Sequence, residues 1–125
     1  MGNATSSARY PLHRAVHEDS AELQSLIDTC DDVDALHPVQ GSALNLACEL
    51  GRTACAVALL DAGALADGSS GSPPLCTACQ HGHEGCVQTL LAHGARMDQT
   101  DAMGFSPLFM AAEYGQECCV RLLLE

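Results

Sequence analysis

Three cysteines and two histidines lie close together in the stretch CTACQHGHEGC, residues 76–86. Thiolate sulfur and imidazole nitrogen are the ligands that zinc takes in tetrahedral structural sites, so this stretch has the composition of a metal site. The same residue types also make up a redox-active thiol pair, or a cysteine nucleophile with a histidine base. Which interpretation applies depends on whether chemistry or packing determines where these residues stand.

The composition of the chain bears on its partners and its compartment. Five Lys and Arg residues stand against sixteen Asp and Glu residues, for a formal net charge of −11. Nucleic-acid binding depends on basic side chains that displace counterions, so we expect no nucleic-acid partner. No apolar run reaches membrane-spanning length. Since no signal peptide precedes the eight cysteines, we expect a reducing setting, in the cytoplasm or the nucleus, rather than a disulfide scaffold.

The chain repeats itself with a period near 32 residues. With Leu12, Leu44, Leu75 and Leu108 as anchors, the surrounding segments align without gaps at spacings of 32, 31 and 33 residues. An alanine stands three positions after every anchor, and a glycine stands seven positions after the last three anchors, with Asp19 in the first unit. A small residue at one place in every unit indicates close contact between helices, and the glycine provides the turn that ends the first helix. Each unit therefore reads as two short helices that gain stability by stacking on the next pair.

The segments GSPPLCTACQHGHEGCVQTLLAHGA and GFSPLFMAAEYGQECCVRLLLE resemble the ankyrin repeat. The resemblance covers residues 9–125 and implies an all-α solenoid of about four helix-turn-helix units with short hairpin fingers, the last unit being truncated. The units fall near 9–41, 42–71, 72–104 and 105–125, and residues 1–8 form a flexible leader. The second unit departs most from the family pattern, with Ala43 in place of proline and Asn45 in place of histidine.

The repeat explains the cysteine-rich stretch without a metal. Cys79 stands four positions after its anchor, in a column with Val16, Cys48 and Ala112, and Cys86 stands eleven after, in a column with Leu23, Cys55 and Cys119. A cysteine that alternates with Val, Leu and Ala behaves as a compact buried hydrophobe. The family resemblance implies that His83 hydrogen-bonds between adjacent units. We therefore expect no metal ligands, no cofactor-binding residues and no catalytic residues.

The family resemblance implies a non-enzymatic scaffold that binds another protein through its concave face. This face is built from the ends of the first helices and from the finger DAMGFSPL. The acidic composition favours a neutral or basic partner. The residues expected to contact the partner are His17, Glu18, Glu49, Leu50, Gln80, His81, Met103, Phe105, Glu113 and Tyr114.

Two other functions remain open on the sequence. The Cys-Val pairs in GCVQTLL and CCVRLLL are similar to the ankyrin-and-SOCS-box family, which implies the substrate-recognition part of a ubiquitin-ligase adaptor if the full chain continues into a SOCS box. The second of these functions is that of a metal-dependent or thiol enzyme of which this chain is a fragment. Such an enzyme would need a second domain or a metal.

The two termini carry further expectations. The start MGNATS fits the myristoylation motif, with Gly2 as the acylated residue. One acyl chain without basic residues would give weak, reversible membrane association, and the alternative is an unmodified polar leader. The final segment RLLLE leaves an open apolar stripe, which suggests a fragment of a longer array or a surface on which something docks. The sequence leaves the oligomeric state open.

Overall fold

The computed structural model describes residues 11–18, 21–29, 42–68 and 72–124. These ranges contain helices and turns but no strand. The helices are α1 (Pro11–Glu18), α2 (Leu23–Thr29), α3 (Ala43–Leu50), α4 (Thr53–Asp61), α5 (Pro74–His81), α6 (Glu84–Ala92), α7 (Pro107–Glu113) and α8 (Glu117–Leu124). The prediction of an all-helical repeat is confirmed. The leader 1–8, including Gly2, lies outside the described residues.

The first helix of a unit begins and ends at recognisable residues. Ser42 and Ser106 cap α3 and α7, because their side-chain oxygens accept hydrogen bonds from the backbone N–H groups of Asn45 and Phe109, each at 3.1 Å. Proline opens α5 and α7, where its missing N–H has no helical partner to lose. At the other end, Gly51 and Gly82 adopt φ of +75° and +73°, the left-handed conformation that stops the helix and starts the turn into the second helix.

The helices form two stacked rows. The first helices α1, α3, α5 and α7 pack against one another in chain order, and the second helices α2, α4, α6 and α8 form the neighbouring row. Each first helix also packs on the second helix of its own unit. Every pair therefore buries its apolar side chains against the adjacent pair, as expected for short helices that are marginal alone.

The core consists of the predicted repeat columns. The column three after the anchors holds Ala15, Ala47, Ala78 and Ala111, each no more than 1 % exposed. The aliphatic column fifteen after the anchors, Ile27, Leu59, Leu90 and Leu123, is also buried. Small side chains in the first column let neighbouring first helices approach closely, and the larger aliphatic residues fill the space between the rows.

The finger before α7 is closed by one side chain. Asp101 Oδ1 accepts hydrogen bonds from the backbone N–H groups of Met103 and Phe105, each at 2.9 Å, and the Asp101 N–H donates to the Phe105 carbonyl at 3.0 Å. Gly104, with φ of +86°, completes the turn. This turn positions the residues at the tip of the finger relative to α7.

Within the described ranges, no helix has both the length and the apolar character that crossing a bilayer requires.

Candidate partner-binding surface

The five residues of the cysteine-rich stretch have separate surroundings. Cys76, Cys79 and Cys86 are fully buried, and the Cys76 thiol donates to the Phe105 carbonyl at 3.7 Å. His81 Nδ1 lies 3.0 Å from the Thr77 carbonyl oxygen, and His83 contacts a backbone carbonyl of the preceding unit. In the described part of the chain, no three His, Cys, Asp or Glu side chains gather as a metal-ligand set. Packing accounts for the positions of these residues.

His83 joins the second and third units across a glycine. Its Nε2–H donates to the Glu49 carbonyl at 3.0 Å, and its ring covers Gly51. The implied hydrogen bond of His83 between units is therefore present. In the next unit Gln116 takes the same place, because its Nε2–H₂ donates to the Gln80 carbonyl at 3.1 Å and its side chain covers Gly82. These contacts hold the ends of α3, α5 and α7 beside one another.

The predicted contact residues at the helix ends are mostly exposed. Glu18 at the end of α1, Glu49 at the end of α3, His81 at the end of α5, and Glu113 and Tyr114 at the end of α7 are accessible. Gln80 is half-buried, and its amide donates to the Tyr114 hydroxyl at 3.4 Å, which joins the third and fourth units at this surface. His17 lies in α1, but its side chain is not among those described.

Two of the expected anchor residues are less accessible than the sequence suggested. Leu50 and Phe105 were expected to be exposed, but both are half-buried and pack against the core. The Asp101 turn positions the Phe105 backbone. The Phe105 ring stacks on the Phe109 ring with a centroid distance of 4.5 Å. By contrast, Met103 at the finger tip is 77 % exposed, as expected for an outward-facing residue.

Two further apolar residues reach the surface on α7. Leu108 is 39 % and Phe109 is 43 % exposed. The repeat pattern did not predict the exposure of Leu108, because its counterparts in the other units are buried anchors, Leu12, Leu44 and Leu75. The exposure arises because, among the described elements, α7 packs on first helix α5 and second helix α8 but has no first helix on its other side. Met103, Leu108, Phe109 and Tyr114 together form the apolar part of the candidate surface.

The end of the array also has a shallow apolar depression. Its volume is about 350 Å³, and residues of α7, α8 and the turn between them line it, including Ala112, Gly115, Val120 and Leu124. The equivalents of Ala112 in the second and third units, Cys48 and Cys79, are buried by the following unit. The depression is therefore the surface that each inner unit presents to its neighbour.

Cys86 contacts the preceding unit through its sulfur. Its thiol donates to the Ala47 carbonyl on α3 at 3.9 Å, and its sulfur lies 3.8 Å from the Thr53 hydroxyl on α4. The sequence identified this position as part of an apolar column but did not predict these two contacts.

Comparison with known families agrees with this geometry. Residues 65–125 match the model described as ankyrin repeats in three copies. The chain contains ankyrin repeats. The match covers α5 to α8. The anchors of the two earlier helix pairs recur at nearly the same spacing, and the second unit also ends its first helix at a glycine with positive φ, Gly51. Ankyrin repeats generally act as protein–protein interaction modules and typically have no enzymatic activity. No curated protein matches the chain.

Proposed function

We propose that this ankyrin-repeat array is a non-enzymatic scaffold that binds a neutral or basic protein on the surface made by the first-helix ends and the finger. The observation that carries the proposal is the exposure of Met103 and Tyr114, 77 % and 52 %, together with the exposure of Glu49 and Glu113. Large apolar side chains surrounded by polar ones are the usual composition of an interface centre and its rim.

The charge of the chain supports the choice of partner. With sixteen acidic residues against five arginines and no lysine, the array repels acidic proteins at long range. Glu18, Glu49 and Glu113 add negative charge at the ends of three first helices. A partner with basic residues around an apolar anchor complements both features of the surface, and its association slows as salt rises.

The rigidity of the surface also supports binding without large rearrangement. The His83–Glu49 and Gln116–Gln80 hydrogen bonds fix neighbouring helix ends, and Asp101 fixes the finger. A surface that is ordered before binding loses less conformational entropy on association. We therefore expect the partner to bind a preformed site.

The test is affinity capture from a cell lysate with the wild-type array and three single variants. Tyr114→Ala and Met103→Ala each remove one exposed apolar side chain, and Gln88→Ala removes an exposed side chain from second helix α6 as the matched control. We expect the first two variants to lose at least about tenfold of the captured partner, as for interface hot spots, and the control to retain it. Melting temperatures equal to the wild type establish that each variant is folded. Loss with Gln88→Ala alone would assign binding to the second helices.

A further inference from the structure

Two carboxylates stand at the same repeat position on two first helices. Glu49 on α3 and Glu113 on α7 each lie five positions after their anchor, and both side chains are exposed. The ion pairs of the described residues join other side chains, namely Arg14 with Glu18, His93 with Asp61 and Arg96 with Asp98. The carboxylates of Glu49 and Glu113 are therefore available to a partner.

The helix between these two carboxylates has a neutral residue at the same position. On α5 this residue is Gln80, which is half-buried and whose amide donates to the Tyr114 hydroxyl at 3.4 Å. Because of this hydrogen bond, the exposed Tyr114 side chain extends from the fourth unit towards the third. An aromatic ring therefore reaches towards the end of α5, the helix that lies between the two carboxylate-bearing helices.

The basic residues of the chain stand at other repeat positions. None of its five arginines lies five or six positions after an anchor, and the chain has no lysine. The negative charge at the first-helix ends is therefore not balanced at these positions of the repeat. Charges across an interface are complementary, so we expect the counter-charge to come from the partner.

The spacing of the two carboxylates follows from the stacking of the helices. Helix α3 packs on α5, and α5 packs on α7. Packed helices have axes about 8–10 Å apart, so equivalent atoms of Glu49 and Glu113 are roughly 16–20 Å apart. A polyproline II segment advances about 9 Å in each turn of three residues, which matches one unit of the array. Two turns span about 19 Å and return to the same side of the segment.

Other backbone conformations fit this surface less well. In a β-strand, side chains three positions apart point to opposite faces, so a residue midway between the two carboxylates would face away from Tyr114. An α-helix rises about 1.5 Å per residue and needs about twelve residues to cover the same distance. A polyproline II segment is also ordered before it binds, and aromatic side chains are its usual docking surface.

We propose that this surface recognises a polyproline II segment of the partner, with two basic residues six positions apart and a large apolar residue midway between them. The basic residues pair with Glu49 and Glu113, and the apolar residue packs on Tyr114. This inference rests on the proposed function, because it names the part of the partner that binds the first-helix ends. It adds a spacing rule, since every third residue of the segment meets one unit of the array.

Synthetic peptides test the spacing directly. The probe is a fluorescently labelled Arg-Pro-Pro-Leu-Pro-Pro-Arg segment, and its binding to the full chain is measured by fluorescence anisotropy. One control peptide has the same composition with the two arginines side by side, and a second moves only the leucine by one position. We expect each control to bind at least about twofold more weakly, because each loses one of the three contacts. Equal binding of all three peptides would overturn the proposal.

Variants of the array assign the contacts. Glu49→Gln and Glu113→Gln are each expected to weaken binding of the probe about two- to fivefold, the range of an exposed ion pair. Tyr114→Ala is expected to weaken it at least about tenfold. Glu84→Gln removes an exposed carboxylate from second helix α6 and is the matched control, which is expected to bind the probe like the wild type. An equal loss with Glu84→Gln would show that only net charge attracts the probe, and would overturn the proposal.

Affinity capture from lysate separates this inference from the proposed function. If Tyr114→Ala reduces capture of the cellular partner while the probe binds no better than its control peptides, the binding surface is supported and the polyproline II segment is wrong. If neither the cellular partner nor the probe depends on Tyr114, both the proposed function and this inference fail.

Discussion

The imidazole of His83 lies over Gly51, so closely that a Cβ built on the glycine would come within 2.6 Å of His83 Nδ1. The same ring donates to the Glu49 carbonyl on α3. Gly51 therefore has two roles: its positive φ ends the helix, and its missing side chain makes room for the histidine that joins two units.

Replacing Gly51 with alanine is expected to cost more stability than the same change at Gly115. Both glycines have positive φ, +75° and +70°, but a Cβ at Gly115 would meet no atom within 4 Å. Gly115→Ala thus carries only the left-handed strain of about 1–2 kcal/mol. Gly51→Ala also displaces His83 and its hydrogen bond, for about 1 kcal/mol more. Urea unfolding of the two variants measures the difference, and equal losses would show that His83 moves aside without cost.

A larger side chain in the alanine column is expected to destabilise the array strongly. Ala78 on α5 is fully buried between neighbouring first helices, so Ala78→Leu overpacks this contact and costs about 1–3 kcal/mol or more. The control is Ala112→Leu on α7, where the side chain is exposed and the expected change is within about 0.5 kcal/mol. Thermal and urea unfolding measure both variants. A small effect of Ala78→Leu would contradict the close packing of this column.

The cysteine-rich stretch is expected to hold no structural zinc. A metal site of that kind supplies much of the folding free energy of its domain, so a chelator would unfold it. Here Cys76, Cys79 and Cys86 are buried among apolar residues, and His81 and His83 contact backbone carbonyls. We expect metal analysis of the reduced protein to find no stoichiometric zinc and a chelator to leave the helical circular dichroism unchanged. Loss of the helical signal with chelator would contradict this account.

His93 is expected to titrate above the ordinary histidine pKa. Its Nδ1 lies 2.9 Å from the Thr89 carbonyl oxygen and its Nε2 lies 3.1 Å from Asp61 Oδ1. Both partners accept hydrogen bonds, so only the imidazolium, with two N–H donors, satisfies them together. The Thr89 carbonyl and then the Asp61 carboxylate raise the His93 pKa. The resulting stability is present below the unfolded-state pKa and is lost as pH rises through the folded-state pKa.

Asp61→Asn tests the contribution of the carboxylate. We expect this change to lower the His93 pKa in an NMR titration without returning it fully to the ordinary value, because the Thr89 contact remains. Asp98→Asn, which removes an exposed carboxylate that lies near Arg96, is the matched control and is expected to leave His93 unchanged. An identical His93 titration in Asp61→Asn and wild type would show that the ion pair does not form in solution.

Much of the fold follows from the sequence because each position of the repeat occurs in several units, and the residues found there can be compared. The alanine column and the turn glycines could be assigned from their recurrence, and Ala47, Ala78 and Gly82 lie where that recurrence predicts. The packing of Cys79 and Cys86 could also be inferred, since valine or leucine takes their place in other units. Periodic patterns predict burial well because each column has one environment.

Features that link different columns could not be predicted in the same way. The contacts of Cys86 with the Ala47 carbonyl and the Thr53 hydroxyl depend on how helices of different units face each other, which spacing alone does not specify. The exposure of Leu108 depends on which elements surround α7, although its column is otherwise buried. Phe105 was expected at the surface, but the Asp101 turn and the Phe109 ring hold it against the core.

The central claim, that a protein partner binds the first-helix ends and the finger, is tested most directly by site-specific photo-crosslinking. A photoreactive phenylalanine analogue placed at Tyr114 keeps an aromatic ring at the proposed surface, and the same residue at Gln88 on α6 reports on the second helices. Both variants are first checked for the melting temperature of the wild type. We predict that the captured partner becomes covalently linked through position 114 and not through position 88. Cross-linking through position 88 without any through position 114 would contradict the account and assign binding to the opposite side of the array.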